Sequence, residues 1–287
     1  MKPRLAQALF RSWPLPFAHV RLMKWIDPPL VPAAVVTTEL KRYGLQLSYD
    51  PNSYIGRYIY YRGLFEEQVL RAIERALRPG GTFIDIGANI GQHTVVAAHC
   101  VGVGGRVIAF EPQALVRARL LHNIALNHQQ EVVEVHGCAL GRVRAAGNIY
   151  ELNDHNDGQS SLRPVTHTEP CEPVQIEALD GMELGIDAQR GCVLKIDVEG
   201  GEIDVLEGAT GFIRRVRPQA LFIECADQHL RRFGYSSLDL QQWVRDHDYD
   251  LVGLVHGRWQ PLNRAIDCDL LATPRKAGRK PRRKSPH

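Results

Sequence analysis

Short apolar runs recur along the middle of the chain, and the first two are followed by stretches with apolar residues at helical spacing. The runs lie at residues 82–86, 106–110, 132–136, 192–197 and 220–224, and the helical stretches at 92–100 and 114–127. Runs of this length are typical of strands that are buried on both faces. Their alternation with helices predicts an α/β fold with a doubly wound, mostly parallel sheet.

The pattern changes after residue 224. Residues 236–247 carry apolar residues at helical spacing, and two strand-like runs follow at 251–255 and 269–272. Two final strands that lie close together in sequence favour antiparallel pairing on an otherwise parallel sheet. We therefore expect a Rossmann-like sheet of seven strands that ends in an antiparallel hairpin.

Two segments fall outside this alternation. Residues 1–80 predict an N-terminal extension with a Pro-rich entry, a short β region at 45–49 and 57–61, and an amphipathic helix at 66–77. Residues 146–178 form an insertion between the third and fourth strands of the predicted core domain, 81–274. Insertions of this length often form lids or substrate walls, so we expect this one near the active site.

The net charge of +3 is unevenly distributed, because residues 275–287 contain seven Lys and Arg and no acid. The remainder has 28 basic against 32 acidic residues, which argues against a nucleic-acid groove built into the fold. The tail is predicted to be disordered and solvated, although it could also touch RNA, DNA or an anionic membrane surface. We expect no specific nucleic-acid partner.

The cysteines and the N-terminus bear on cellular location. The six cysteines form no CxxC pair, which is typical of a cytosolic protein. Arg4, Arg11, Arg21 and Lys24 interrupt the N-terminus, so no signal peptide is predicted. The uncharged stretch 86–105 contains five glycines and favours a loop and a helix over a transmembrane segment. The sequence predicts a cytoplasmic protein.

The most informative segment joins the first predicted strand to the first helix of the core. Its turn runs from Gly87 through Asn89 to Gly91, and Asp85 lies two positions before the first glycine. Glycines in such a turn allow a ligand to approach the backbone at the carboxyl end of the strand. Glu111 ends the second strand, and an acid at this place can accept hydrogen bonds from both ribose hydroxyls of a cofactor.

The acid in front of the turn separates two cofactor classes. Asp85 would repel a pyrophosphate, yet it suits the ammonium group of a methionine moiety. The turn also lacks the GxGxxG pattern of dinucleotide sites. The residues therefore favour S-adenosyl-L-methionine over NAD, with a nucleotide-binding dehydrogenase and a catalytically inactive S-adenosyl-L-methionine-binding module as the alternatives.

Four motifs resemble those of the FkbM family of class I methyltransferases. They are Asp85-Ile-Gly-Ala-Asn-Ile-Gly91, Ala109-Phe-Glu-Pro112, Leu194-Lys-Ile-Asp-Val-Glu-Gly-Gly-Glu202 and Val205-Leu-Glu-Gly-Ala209. The resemblance covers roughly residues 45–273, and it implies the class I fold, S-adenosyl-L-methionine as methyl donor, and a hydroxyl acceptor on a sugar, glycan or polyketide. Ser160 and Ser161 resemble the polar loop near the cofactor in this family. The predicted cofactor contacts are Asp85, Gly87, Asn89, Gly91, Thr94, Glu111, Ser160 and Ser161.

Carboxylates at the ends of the central strands are the candidates for the chemistry. Asp197, Glu199 and Glu224 all lie where open α/β sheets bind ligands. Alternation places Lys195 on the same strand face as Asp197, and a lysine in an apolar strand needs a partner such as Asp197 or Glu199. Asp197 is the first choice to orient or deprotonate the acceptor, with Glu199 positioning the loop. Lys195 either supports this site or contacts the substrate.

Three further features have weaker sequence support. His155 in the inserted loop is a second candidate base, since imidazole can take a proton near neutral pH. Asp197, Glu224 and Asp227 could gather a divalent ion, but they lack a fixed ligand spacing, so metal-independent transfer is predicted. The segment Asp27-Pro-Pro-Leu30 is similar to a motif of DNA amino methyltransferases, but it lacks the final aromatic residue and favours a simple turn.

Overall fold

The computed structural model describes residues 31–151, 160–164, 169–262 and 264–275. The strands of this part of the chain are β1 (Val36–Leu40), β2 (Leu45–Tyr49), β3 (Thr82–Ile86), β4 (Arg106–Phe110), β5 (Val133–His136), β6 (Ala139–Leu140), β7 (Ala145–Glu151), β8 (Ser160–Ser161), β9 (Glu172–Glu177), β10 (Cys192–Ile196), β11 (Ala220–Ile223), β12 (Tyr249–Val255), β13 (Arg258–Pro261) and β14 (Leu270–Pro274). The α-helices are α1 (Tyr54–Arg62), α2 (Glu67–Ala76), α3 (Gln92–Val101), α4 (Ala114–Leu126), α5 (Glu202–Glu207), α6 (Thr210–Val216), α7 (Asp227–Arg232) and α8 (Ser237–Asp246).

The main sheet has the strand order β13-β12-β14-β11-β10-β3-β4-β5. Its five strands from β11 to β5 run parallel, while β14, β12 and β13 pair antiparallel. This confirms the predicted Rossmann-like sheet of class I methyltransferases, including the antiparallel end. The sheet has eight strands where seven were expected, because β13 adds an edge strand whose residues are largely exposed and show no apolar alternation.

The central strands β3 and β10 are buried along their whole length, because helices cover both faces of the sheet. This explains why both strands appear in the sequence as continuous apolar runs. The two charged exceptions, Asp85 and Lys195, are partners in the β3–β10 register. The sheet therefore brings two charged side chains from distant sequence positions side by side in its interior.

The N-terminal region corrects one prediction. Residues 57–61 were expected as a strand, but they lie in α1, which begins after the N-cap residue Ser53. The Ser53 hydroxyl accepts the N–H of Gly56 at 3.0 Å. Ile59, Tyr60 and Tyr61 favour strands by propensity, but burying all three against the core favours the helix here. The predicted helix at 66–77 is present as α2.

The insertion forms most of a small separate sheet with the order β6-β9-β7-β8, to which β6 is added from the segment before the insertion. Ile149 and Val174 are buried within it and pack with Ala139. This sheet lies over the carboxyl end of the main sheet and closes one side of a cavity. The Asp27-Pro-Pro-Leu30 segment, His155 and the tail after Arg275 lie outside the described residues. Among the helices that are described, none has the length and apolar character needed to cross a membrane.

Candidate active site

One cavity of about 630 Å³ lies at the carboxyl edge of the parallel strands. A cavity of this volume is large enough for a nucleoside cofactor together with part of an acceptor. The residues that line it come from the turn after β3, the ends of β4, β10 and β11, the small sheet, and the α1–α2 junction; they include Tyr54, Glu66, Gly87, Asn89, Gly91, Glu111, Arg142, Ser160, Ser161, Lys195, Asp197, Glu199 and Glu224.

The glycine turn is shaped first by its contacts with the protein. Gly87 has φ 83°, and a Cβ added there would lie 1.8 Å from the carbonyl oxygen of Asp197. Gly91 has φ 90°, and a Cβ there would lie 2.4 Å from the side chain of Leu120. The two glycines therefore let the turn pack closely against the segment after β10 and against α4. Their packing places the backbone of Asn89 at the cavity wall.

Glu111 is the carboxylate on this side of the cavity. It is buried, and its two oxygens accept the N–H groups of Asn89 at 2.9 Å and Gln113 at 3.0 Å. Burial raises the pKa of Glu111 to about 7, although these two hydrogen bonds oppose the rise. Each carboxylate oxygen can accept a second hydrogen bond, so the group can still receive ligand hydroxyls.

Asp85 and Thr94 lie deeper than the sequence suggested. Both are fully buried, and neither is among the residues that line the cavity. The Thr94 hydroxyl donates to Oδ2 of Asp85 at 2.6 Å, while Oδ1 of Asp85 is buried without a hydrogen-bond partner. Burial raises the pKa of Asp85, and the charge of Lys195 opposes that rise. The two residues fix the base of the turn, and a contact with the cofactor stays a prediction.

Lys195 and Asp197 form the ion pair that the strand alternation predicted. Lys195 Nζ lies 2.6 Å from Oδ2 of Asp197, and the two side chains are 6% and 24% exposed. Burial alone would lower the pKa of Lys195, but the carboxylates of Asp197, Glu66 and Asp85 raise it. The lysine is therefore held as a cation, and Asp197 is the more accessible member of the pair.

Glu199 and Glu224 meet a residue that the sequence did not indicate. His229 Nδ1 at the start of α7 lies 2.7 Å from Oε2 of Glu199 and 3.6 Å from Oε2 of Glu224. Contact with these two carboxylates raises the pKa of His229 to about 10. No local pattern marks a histidine five positions beyond Glu224 as part of a site, because only the turn after β11 brings it back.

The loop that carries Glu199 is held by the last acid of the same motif. Oε1 of the buried Glu202 accepts the N–H groups of Val198 at 3.2 Å and Gly200 at 3.0 Å. Glu199 has φ 57° and Gly200 has φ 115°, so two successive residues occupy the left-handed side of backbone space. A Cβ at Gly200 would lie 2.4 Å from the carbonyl oxygen of His229, so only glycine fits between the loop and α7.

The α1–α2 junction forms another part of the cavity wall, which the sequence did not predict. Glu66 has φ 49° and its side chain is 21% exposed, with Oε2 3.7 Å from Nε2 of the buried His93. Burial and the nearby carboxylates raise the pKa of Glu66, whereas burial lowers the pKa of His93 well below its usual value. The rings of Tyr54 and Phe65 lie edge to face on the same wall, with 6.2 Å between their centroids.

Ser160 and Ser161 line the cavity from the small sheet, as the resemblance implied. The Ser161 hydroxyl donates to the carbonyl oxygen of Glu199 at 3.0 Å. Ser161 therefore ties the insertion to the loop after β10. Asp227, considered as a metal ligand from sequence, instead caps α8 through the Ser237 N–H and pairs with Arg231. It does not line the cavity.

Comparisons with known proteins agree with this architecture. A family model described as the Methyltransferase FkbM domain matches residues 85–251. A search of curated proteins found no match. Among solved structures, methyltransferase FkbM from Methylobacillus flagellatus KT is 18% identical, with a TM-score of 0.45 over 76% of this chain and 52% of that one. This chain thus spans about half the length of that protein.

Two other solved structures are also similar. A precorrin-6y C5,15-methyltransferase from Geobacter metallireducens is 11% identical, with a TM-score of 0.42 over 73% of this chain and 90% of that one. A SAM-dependent methyltransferase from Aquifex aeolicus is 15% identical, with a TM-score of 0.40 over 72% and 87%. TM-scores below 0.5 do not define a family, whereas the family model spans more than half of the chain. The protein therefore belongs to the FkbM methyltransferase domain family.

Proposed function

We propose that the protein is an S-adenosyl-L-methionine-dependent O-methyltransferase whose acceptor is a hydroxyl of a sugar, glycan or polyketide-like small molecule. The observation that supports this most directly is that Glu111 and Asp197 face one cavity from two neighbouring parts of the sheet edge. One carboxylate suits the ribose of the donor, and the other suits the hydroxyl of an acceptor.

The donor side fits the cofactor in two respects. Glu111 offers two carboxylate oxygens at the carboxyl end of β4, where a ribose diol is commonly bound in this architecture. The buried Oδ1 of Asp85 lacks a hydrogen-bond partner, which an ammonium group would satisfy, but Asp85 lies behind the residues that line the cavity, so this contact stays a prediction. Glu111, the backbone of Asn89 and the turn from Gly87 to Gly91 are the residues that we assign to the donor.

The acceptor side fits proton removal from a hydroxyl. The donor supplies a methyl group already activated on a sulfonium, so the protein has to align the acceptor oxygen and take its proton. Lys195 occupies Oδ2 of Asp197, and we assign Oδ1 to the acceptor hydroxyl. Lys195 holds the Asp197 carboxylate in place through the 2.6 Å ion pair at Oδ2. Lys195 is thus a positioning residue, and Asp197 the catalytic base.

The experiment that tests this function uses S-adenosyl-L-methionine with a carbon-13 methyl group. Wild-type protein and the Asp197→Asn variant are incubated with a panel of sugars, glycosides and macrolides, and the products are examined by NMR. We expect a new O-methyl carbon signal with at least one hydroxyl acceptor and its near absence with the variant. Label on nitrogen, on sulfur or on a carboxylate would contradict the proposal, as would calorimetry in which NAD binds and S-adenosyl-L-methionine does not.

A further inference from the structure

Three potential metal ligands meet at the acceptor end of the cavity. They are Glu199 in the loop after β10, Glu224 at the end of β11, and His229 in α7. One ligand atom from each lies within 4.8 Å of the other two. The loop after β10 and the β11–α7 segment therefore deliver one nitrogen and two oxygens to a single point.

These atoms are also buried without hydrogen-bond partners. Oε2 of Glu199, Oε2 of Glu224 and Nδ1 of His229 have almost no solvent contact, and none makes a hydrogen bond. The 2.7 Å contact between Glu199 and His229 does not have the alignment of a hydrogen bond. Buried polar atoms without partners cost free energy, and three at one point are unusual in a folded protein. A cation among them would satisfy all three.

The charges around the cluster favour a cation as well. Burial is the main cause that raises the pKa of Glu224. The negative charges of Asp197 and Glu202 raise it further. Lys195 is engaged by Asp197, and Arg232 donates to the carbonyl oxygen of Glu199 instead of its carboxylate. Both of these side chains are thus directed elsewhere, and His229 alone faces the two carboxylates, so the cluster keeps a net negative charge even when the imidazole is protonated.

We propose that Glu199, Glu224 and His229 bind a divalent first-row transition metal ion. One imidazole and two carboxylates suit Mn²⁺, Fe²⁺ or Zn²⁺, whereas Mg²⁺ prefers oxygen ligands alone. Glu199 and Glu224 line the cavity, so the remaining coordination positions face the acceptor. An ion there would bind the acceptor hydroxyl and lower its pKa, and Asp197 would receive the proton. This differs from the metal-independent transfer that the sequence predicted.

The experiment measures Mn²⁺ binding to the full chain after dialysis against EDTA, by the EPR signal of free Mn²⁺. We expect one ion per chain, and at least about tenfold weaker binding in Glu224→Gln and in His229→Ala. The matched control is Glu66→Gln, which removes one carboxylate from another part of the wall of the same cavity. It should change Mn²⁺ affinity less than about threefold, because Glu66 is not one of the three ligands and attraction beyond ligand distance is weak compared with ligation.

A second measurement needs no variant. Mn²⁺ bound to the wild type should raise the melting temperature, and its electron spin echo should be modulated by an imidazole nitrogen. The proposal is overturned by three results: no bound Mn²⁺ at millimolar concentrations, a bound ion without nitrogen modulation, or equal loss of affinity in folded Glu66→Gln and Glu224→Gln. Donor affinity measured by calorimetry in EDTA tests the proposed function separately, since Glu111 and the glycine turn lie outside this cluster.

Discussion

The two halves of the cavity, which we assign to the methyl donor and to the acceptor, are built in different ways. The donor half comes from one continuous segment, from Asp85 to Glu111, in which a strand, a turn, a helix and a second strand follow one another. Its polar contacts join backbone N–H groups to a single carboxylate. The acceptor half is assembled from the loop after β10, the end of β11 and the α1–α2 junction, and His229 of α7 contacts its two carboxylates Glu199 and Glu224. Its contacts join charged side chains from distant parts of the chain.

This difference predicts different responses to substitution. A donor site made of backbone contacts and one acid should lose affinity when that acid is removed, and substitutions elsewhere should not change this loss. The acceptor side holds Asp197, Glu199 and Glu224 with Lys195 and His229 in one cluster. Charges in contact are energetically coupled, so effects there should not be additive. Four predictions follow, from the largest expected effect to the smallest, and each bears on this contrast.

The largest effect is expected for Asp197→Asn. The amide preserves the shape of the side chain but cannot take the acceptor proton, so turnover should fall by about 10²–10⁴-fold. The donor half does not depend on this charge, so the affinity for S-adenosyl-L-methionine should stay within about threefold of wild type. Turnover, donor affinity and thermal stability should be measured on one preparation, because Lys195 loses its partner and stability can fall.

A double variant and one contrary result sharpen this prediction. Lys195→Met combined with Asp197→Asn removes both charges together, and it should recover part of the stability lost in the single variant without recovering turnover. Turnover at the wild-type level in a folded Asp197→Asn protein would exclude Asp197 as the base. His155, which lies outside the described residues, would then become the leading candidate.

The second prediction concerns the backbone of the acceptor half. Gly200→Ala places a methyl group 2.4 Å from the carbonyl oxygen of His229 at φ 115°, so the loop or α7 has to move. We expect the free energy of unfolding to fall by about 2–4 kcal/mol, from backbone strain and overlap together. Gly44→Ala is the control: Gly44 has φ 65° with no atom within 4 Å of the added Cβ, so its cost should be about 1–2 kcal/mol.

Urea denaturation of the two glycine variants checks this directly. In the fraction that remains folded, Gly200→Ala should weaken Mn²⁺ binding and leave donor affinity unchanged. An equal loss in the free energy of unfolding in the two variants would show that the positive φ alone causes the loss. The loop would then be able to shift away from α7. Loss of donor affinity in folded Gly200→Ala would contradict the separation of the two halves.

The third prediction uses pH to examine the donor half. The pKa of Glu111 rises from 4.5 to about 7 on burial, so the folded protein keeps a proton there between these values. Protonation removes the charged acceptor that the ribose hydroxyls need, so donor affinity should increase as pH rises from 6 to 8. The ionised fraction of Glu111 changes from roughly one tenth to nine tenths between these pH values, which limits the gain in donor affinity to about tenfold.

Calorimetry at several pH values, with wild type and Glu111→Gln, measures this effect. The variant should bind the donor more weakly, by about 1.5–3 kcal/mol, and with less dependence on pH, because the titrating group is gone. The same shift lowers the free energy of unfolding as pH rises from 4.5 to 7, since the unfolded chain ionises more readily. Equal pH slopes in the two proteins would mean that Glu111 does not titrate in this range.

The sequence signals of the donor half are local, and they bring part of the predicted set to the cavity, although Asp85 and Thr94 do not line it. A strand, a turn and an acid at a fixed distance are enough to place Gly87, Asn89 and Glu111 at one cavity. Alternation along a single strand likewise placed Lys195 and Asp197 on one face, and of the two predicted partners, Asp197 and Glu199, the structure pairs Lys195 with Asp197. These inferences depend only on the period of the apolar residues and on the spacing between motifs. They can be made without knowing the tertiary packing.

The acceptor half could not be predicted in the same way. Glu66 and His229 reach the site only through the packing of α1, α2 and α7, and no sequence spacing records that packing. Residues 57–61 were wrongly predicted as a strand because their individual propensities favour one, while burial against the core favours a helix. β13 was missed because an exposed edge strand needs no apolar alternation.

The smallest effect is expected beyond β14, which ends at the edge of the sheet away from both halves. β14 runs antiparallel to β11, with Leu270 beside Ile223, so the chain leaves Pro274 at the edge opposite the cavity. Arg275 is 14% exposed and contacts Asp248 and Asp250, which are themselves exposed. Exposed partners make weak ion pairs, worth about 0–1 kcal/mol.

Two truncations therefore separate the contribution of Arg275 to stability from that of the basic tail. Deleting residues 276–287 should change the free energy of unfolding by less than about 0.5 kcal/mol, because a charged segment without large apolar residues buries little surface. Deleting Arg275 as well should cost up to about 1 kcal/mol more, since its guanidinium also donates to the carbonyl oxygens of Arg245 and Tyr249. Donor affinity and Mn²⁺ affinity should match wild type in both. A large loss of stability in the shorter deletion would show that the tail docks on the domain, and a change confined to one ligand would show on which half it acts.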